Sequence, residues 1–193
     1  TVEQRRAVAD GLLIEPLIGK CPNVMAGGWF DRLRRAAEGR RLMVLDTLRR
    51  FHIEDENASG PMAQVIGRME AISADTGCAI VFLHHANKGA AMAGTGDQQQ
   101  ASRGSSVLVD NIRWQSYLSG MTQVEAEELG VDGGQRRFFV RYGVSKANYG
   151  VPFQECWFRR HEGGVLKPAV LERQKRQRPA KLKSVARDSN DNW

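Results

Sequence analysis

Arg41-Leu42-Met43-Val44-Leu45-Asp46 has the pattern of a buried parallel strand that ends in a carboxylate. Four consecutive apolar residues end in a carboxylate, and Thr47 follows it. A strand of an all-parallel sheet is covered on both faces, so it reads as a continuous apolar run, not as the alternation of a half-exposed strand. Ligands of open α/β sheets collect just outside the carboxyl ends of such strands. An Asp at that place suits Mg²⁺ held against nucleotide phosphates. Taken alone, the run also fits a core strand followed by a turn-forming or helix-capping Asp. A second apolar run, Ala79-Ile80-Val81-Phe82-Leu83, ends in His84-His85 and supplies a second strand tip with chemistry on it.

Between the two runs, Met62, Val65, Ile66, Met69 and Ile72 recur at helical spacing and predict one buried stripe. Ser59 or Gly60 is the expected N-cap, with Pro61 in the first turn, and Gly77 closes the helix. Strand, helix, strand in this order implies a right-handed parallel crossover. Upstream, residues 1–10 read as a helix ended by Asp10-Gly11. Leu12-Leu13-Ile14 and Leu17-Ile18 around Pro16 read as a short strand at a sheet edge. Trp29, Phe30, Leu33, Ala36 and Ala37 mark a further helix that ends at Gly39. Downstream the pattern changes. Val107–Tyr117, Arg137–Val144 and Cys156–Phe158 read as strands separated by turn residues, which predicts hairpins and antiparallel pairing at one sheet edge.

The chain of 193 residues is long enough for one domain with a real core. No apolar run approaches the ~20 residues of a membrane helix, and the first residues carry no apolar stretch after their charges. Cys21, Cys78 and Cys156 are odd in number and widely spaced, which argues against a disulfide framework or a zinc cluster and favours a cytoplasmic setting. The formal net charge is +6, and the basic residues crowd into one end: Arg173, Lys175, Arg176, Arg178, Lys181, Lys183 and Arg187 stand against Glu172. A near-neutral body with a basic tail points to a polyanion partner, nucleic acid first. Residues 1–170 are therefore expected to be the folded domain and 171–193 a disordered basic tail.

Four stretches together resemble the RecA-like core of hexameric replicative helicases: RRLMVLDTLRRFHIEDENASGPMAQVIGRMEAI, GCAIVFLHHANKGAAMAG, GDQQQASRGSSVLVDNIRWQSYL and FFVRYGVSKANYG. The resemblance spans residues 40–150 and continues through Val165-Leu166-Lys167-Pro168. It implies an α/β fold, a RecA-like P-loop NTPase core with a mostly parallel sheet and antiparallel strands added at one edge. It implies ATP and Mg²⁺ as cofactors, and a homo-oligomeric ring, hexameric in the family, around single-stranded DNA. Asp46 matches the Walker B aspartate that supports Mg²⁺, with Thr47 beside it at the nucleotide. His85 matches the residue that senses the γ-phosphate. Arg113 matches the arginine finger that reaches the neighbouring subunit's nucleotide, a role suited to a planar guanidinium. Lys146 lies where related rings carry a Lys-x-Arg pair near the phosphates, although Asn148 stands at the second position. Two irregular segments match DNA-facing loops: about 49–60, with Arg49 and Arg50, and about 86–103, with Lys88 and Arg103. Polar, partly basic loops suit sequence-independent binding through phosphates, while Glu54-Asp55-Glu56 argues against a tight phosphate cradle in its own stretch.

One part of the family pattern is missing from these residues. No Gly-x-x-x-x-Gly-Lys-Ser/Thr occurs: Gly19-Lys20 is followed by Cys21, and Ile14 stands where the first glycine belongs. That loop wraps phosphates in backbone N–H groups and a lysine, while its Ser/Thr holds Mg²⁺. The expectation is a core whose amino-terminal P-loop unit is missing, and a chain that hydrolyses little ATP by itself. The alternative is a P-loop-less, non-enzymatic derivative that binds DNA or regulates a ring. A metal hydrolase built on Asp46, His84 and His85 is the weakest class, because no second carboxylate or histidine is placed with them.

Overall fold

The structure is a computed structural model, and it describes residues 1–85, 107–150 and 155–173. Helix α1 (Val2–Gly11) begins with a capping box in which the Thr1 side chain accepts from the Gln4 backbone. None of its residues is buried. The following segment has no regular secondary structure through Leu17, turns at Ile18, and joins no ladder among the described residues. This corrects the expected edge strand: Pro16 has no N–H to donate, and Leu12, Leu13, Ile14 and Ile18 stand exposed. Helix α2 (Gly27–Ala37) turns Leu33 and Ala37 inward.

Strand β1 (Leu42–Leu45) and strand β2 (Ala79–Phe82) pair in parallel, Leu42 opposite Ala79 and Leu45 opposite Phe82. Helix α3 (Ser59–Thr76) crosses between them, and its predicted stripe of Met62, Val65, Ile66, Met69 and Ile72 is wholly buried. Its N-cap is Ala58, one residue before the expected position. The entry is set upstream, where Asp55 Oδ1 accepts from both the backbone N–H and the side-chain amide of Asn57. Gly77 leaves the helix at φ 71°, a conformation that costs glycine little. The main core gathers this stripe with Val24, Leu33, Ala37, Leu45, Leu48, Phe51, Cys78 and Leu108. Met43, Ile80 and Phe82 pack against it, while Leu42, Val44, Val81 and Leu83, which alternate with them, are exposed.

The second half corrects two expectations. Val107–Tyr117 is not one strand. Val107–Asn111 is a short helix, α4, because Leu108 and Val109 are buried and α4 packs on α3; strand β3 starts only at Trp114 and runs to Gly120. The antiparallel strands also do not extend the parallel sheet. Among the described residues β3, β4 (Phe139–Ala147), β5 (Cys156–Arg160) and β6 (Leu166–Ala169) form a sheet of their own in sequential order. That sheet has its own small core of Met121, Ala126 and Phe139, covered by helix α5 (Gln123–Glu128), which the sequence pattern did not reveal. Among the described residues the fold is thus mixed α/β, a parallel pair and an antiparallel meander, instead of one mostly parallel sheet. A meander satisfies its own backbone groups through hairpins, so it needs no parallel neighbour. The expected loop 86–103, with Lys88 and Arg103, and the tail beyond residue 173 lie outside the described residues.

Candidate functional site

The parallel register puts the ends of β1 and β2 side by side. Leu83 N donates to Leu45 O at 3.0 Å, and Leu48 N donates to Leu83 O at 2.8 Å. Asp46 and Thr47 therefore leave β1 at the same end at which His84 and His85 leave β2. Asp46 is exposed and Thr47 half-buried; the peptide between them is cis. Thr47, Arg49, Glu56, His84 and His85 line a cleft of about 100 Å³ beside it.

Buried His52 and half-buried Glu56 and His84 make the inner part of this site. His52 Nε2 lies 3.9 Å from Glu56 Oε1, and His84 Nε2 lies 3.7 Å from Glu56 Oε2. These are ion-pair separations, too long for hydrogen bonds. Burial of His52, which is 3% exposed, pushes its pKa below the usual histidine value. The Glu56 carboxylate acts in the opposite direction, and the Arg49 guanidinium adds to the lowering. Arg49 is folded onto its own loop, its Nη1 donating to the carbonyls of His52 and Glu54 at 3.5 and 3.3 Å. Arg50 is exposed.

Asp46, Thr47 and His85, expected at the nucleotide, lie at one sheet end, and Arg49 and Arg50, expected at DNA, follow shortly after Thr47. Glu56 has no expected part there beyond its charge. The His52-x-x-x-Glu56 spacing was the available signal, but nothing local shows that His84, distant in sequence, completes the cluster. Among the described residues, no group of three or more His, Cys, Asp or Glu is placed to hold a metal ion.

Arg113 and Lys146 lie elsewhere, at the start of the second sheet. Arg113 is exposed in the bend between α4 and β3, and its carbonyl accepts from Asn148 N at 3.0 Å. Lys146 stands opposite Gln115 across the β3–β4 pair. Its Nζ donates to the carbonyls of Val109 and Asp110 at 2.7 and 3.1 Å. The ammonium thus caps the C-terminal end of α4, a placement that suits a cation.

Residues 4–91 match the family model of the AAA domain. The matched segment takes in nearly all of α1, then α2, β1, α3 and β2, and so contains both strand tips of the candidate site. The match supports an AAA-like ATPase domain here, and with it nucleotide and Mg²⁺ as the ligands such domains use in general. The described residues fit one end of that ligand. Asp46 and Thr47 offer hard oxygen donors of the kind Mg²⁺ takes beside phosphates, and His85 adds a hydrogen-bonding group to the cleft that Thr47 lines. They do not fit the whole of it: about 100 Å³ is small against the roughly 300–1,000 Å³ of ordinary ligand pockets. Among the described residues, no helix is long and apolar enough to cross a membrane.

Proposed function

We propose that this chain is the catalytic-core portion of an ATP-dependent replicative DNA helicase of the RepA type, which serves plasmid replication as a homohexameric ring on single-stranded DNA. The observation that carries the reading is the meeting of Asp46-Thr47 and His84-His85 at the carboxyl ends of adjacent parallel strands, inside the segment that matches the AAA domain. In this reading Asp46 supports Mg²⁺ and Thr47 lies against the phosphates. His85 reports the γ-phosphate, and Arg113, exposed at the α4–β3 bend, is the finger for a neighbouring subunit's nucleotide. Arg49 and Arg50, with Lys88 and Arg103 from the segment outside the described residues, contact DNA phosphates. ATP with Mg²⁺ would supply the phosphoryl group whose transfer drives the motor.

A second reading is favoured by two specific observations. These 193 residues contain no phosphate-loop motif, and the Lys146 ammonium is committed to two backbone carbonyls. Both suit a non-enzymatic DNA-binding or ring-regulatory derivative of such a helicase. Nucleotide binding separates the two. Residues 1–193 alone are expected to bind Mg²⁺-ATP weakly and to hydrolyse almost none, because positioning and charge stabilisation supply nearly all of phosphoryl-transfer catalysis. Joined to a phosphate-loop strand and helix, the same residues should gain turnover that Asp46→Ala removes. No gain in the joined protein would sink the motor reading and leave the derivative.

A further inference from the structure

We propose that Glu56 is a positioning residue that couples the 48–58 loop to the phosphate-sensing tip of β2. The inference rests on the proposed function, in which this loop meets DNA and His85 meets phosphate.

The loop is a braced unit. Arg49 holds the His52 and Glu54 carbonyls, Asp55 holds Asn57, and the Phe51 carbonyl accepts from Val24 N at 2.8 Å. His52 is anchored in the core. From this unit the Glu56 side chain reaches across to His84, just beyond β2. Glu56 is 18% exposed and His84 11%, so the carboxylate faces the imidazole with little solvent between them. Glu56 Oε1 is buried with no hydrogen-bond partner among the described residues.

A largely desolvated carboxylate whose buried oxygen has no hydrogen-bond partner among the described residues is costly compared with an apolar side chain of the same volume. Stability alone therefore gives no reason for Glu at this place. Position does. His84 is the residue next to His85, and both line the cleft that Glu56 and Arg49 also line. A loop displaced as a unit by contacts at Arg49 and Arg50 carries the Glu56 charge with it, and the first group to feel the change is His84. Coupling between two sites needs a physical element that both of them bias, and the Glu56 side chain is one.

The test uses residues 1–193, a labelled oligothymidylate and the imidazole resonances of His84 and His85 in NMR spectra. In the unaltered chain, oligothymidylate binding, followed by anisotropy, should shift both resonances. In Glu56→Gln the oligothymidylate should bind with unchanged affinity while the His84 and His85 shifts are lost. If Glu56→Gln does not fold, His84→Asn provides the same comparison, with His85 as reporter. Binding without any shift in the unaltered chain overturns the coupling, and so do shifts that persist in both variants. No binding to the unaltered chain overturns the DNA-loop reading itself, and the coupling with it, so the two failures are told apart by the anisotropy.

Discussion

Lys146 Nζ lies 2.7 Å from the carbonyl oxygen of Val109, and this contact ties the second sheet to the short helix that packs on α3. A lysine in that position stabilises the last carbonyls of α4, which otherwise lack partners. It also fixes the corner from which Arg113 departs, since Arg113 O is bonded to Asn148 N two residues beyond Lys146. Lys146→Met, which keeps the aliphatic stem, should destabilise the chain by about 1–2 kcal/mol in chemical denaturation. An unchanged midpoint would mean that the ammonium is not committed to the helix and is available to a ligand, as the sequence resemblance implies.

What the sequence made legible depended on the range of the interaction involved. The β1 and β2 runs and the α3 stripe follow from local periodicity, and their boundaries fall within a residue or two of expectation. Register then places Asp46 and His85 at one end. The Glu56–His84 contact and the Lys146–Val109 bond join residues far apart in the chain, and in the second case the acceptor is backbone, which carries no side-chain signature. The apolar residues of Val107–Asn111 are β-prone and read as strand, but burial of Leu108 and Val109 overrides that preference. Likewise, hairpin spacing announced antiparallel pairing but could not say whether those strands join the parallel pair or stand apart.

Gly143 and Tyr117 face each other across the β3–β4 pair. A Cβ on Gly143 would stand 2.5 Å from the Tyr117 hydroxyl oxygen and 2.6 Å from its Cζ, so the ring covers the glycine closely. Tyr117 cannot move cheaply, because its hydroxyl donates to Glu155, which also pairs with Arg141. Gly143→Ala should therefore cost about 1–3 kcal/mol, the usual range for overpacking a filled site, despite alanine's better conformational entropy. Tyr117→Ser in the same chain should recover part of that loss. Equal stability of Gly143→Ala and the parent protein in urea would show that the ring yields freely.

His52 makes stability depend on pH. Burial holds its folded pKa below the unfolded value of 6.5, so between those two values the unfolded chain binds more protons. The contribution of His52 is fully present above the unfolded value and declines as pH falls through the window below it, by at most ~1.4 kcal/mol per pH unit. Glu56 and Glu54 favour the imidazolium and shorten the window, while Arg49 lengthens it. His52→Gln should therefore remove part of the acid sensitivity of the melting temperature between pH 7.5 and 5.5, values chosen to be about one unit either side of the histidine reference. Identical pH profiles for the variant and the parent would show that His52 charges as easily in the fold as outside it.

The outer face of the parallel pair carries Leu42 (53% exposed), Val44 (54%), Val81 (37%) and Leu83 (47%). Parallel sheets are ordinarily covered on both faces, and a contiguous apolar surface of this kind promotes association. Strand pairing itself is satisfied between β1 and β2, so the exposed side chains can be changed without touching the core side of Met43, Leu45, Ile80 and Phe82. Val44→Thr with Val81→Thr keeps the β-branched shape that both strand positions favour and adds a hydroxyl to each. The double variant should sediment with less self-association than the parent chain. Its stability should remain within about 0.5 kcal/mol, the usual span for exposed substitutions. A large loss of stability would mean that this face is already covered in the folded chain. Unchanged self-association in a variant of normal stability would place the association on another surface.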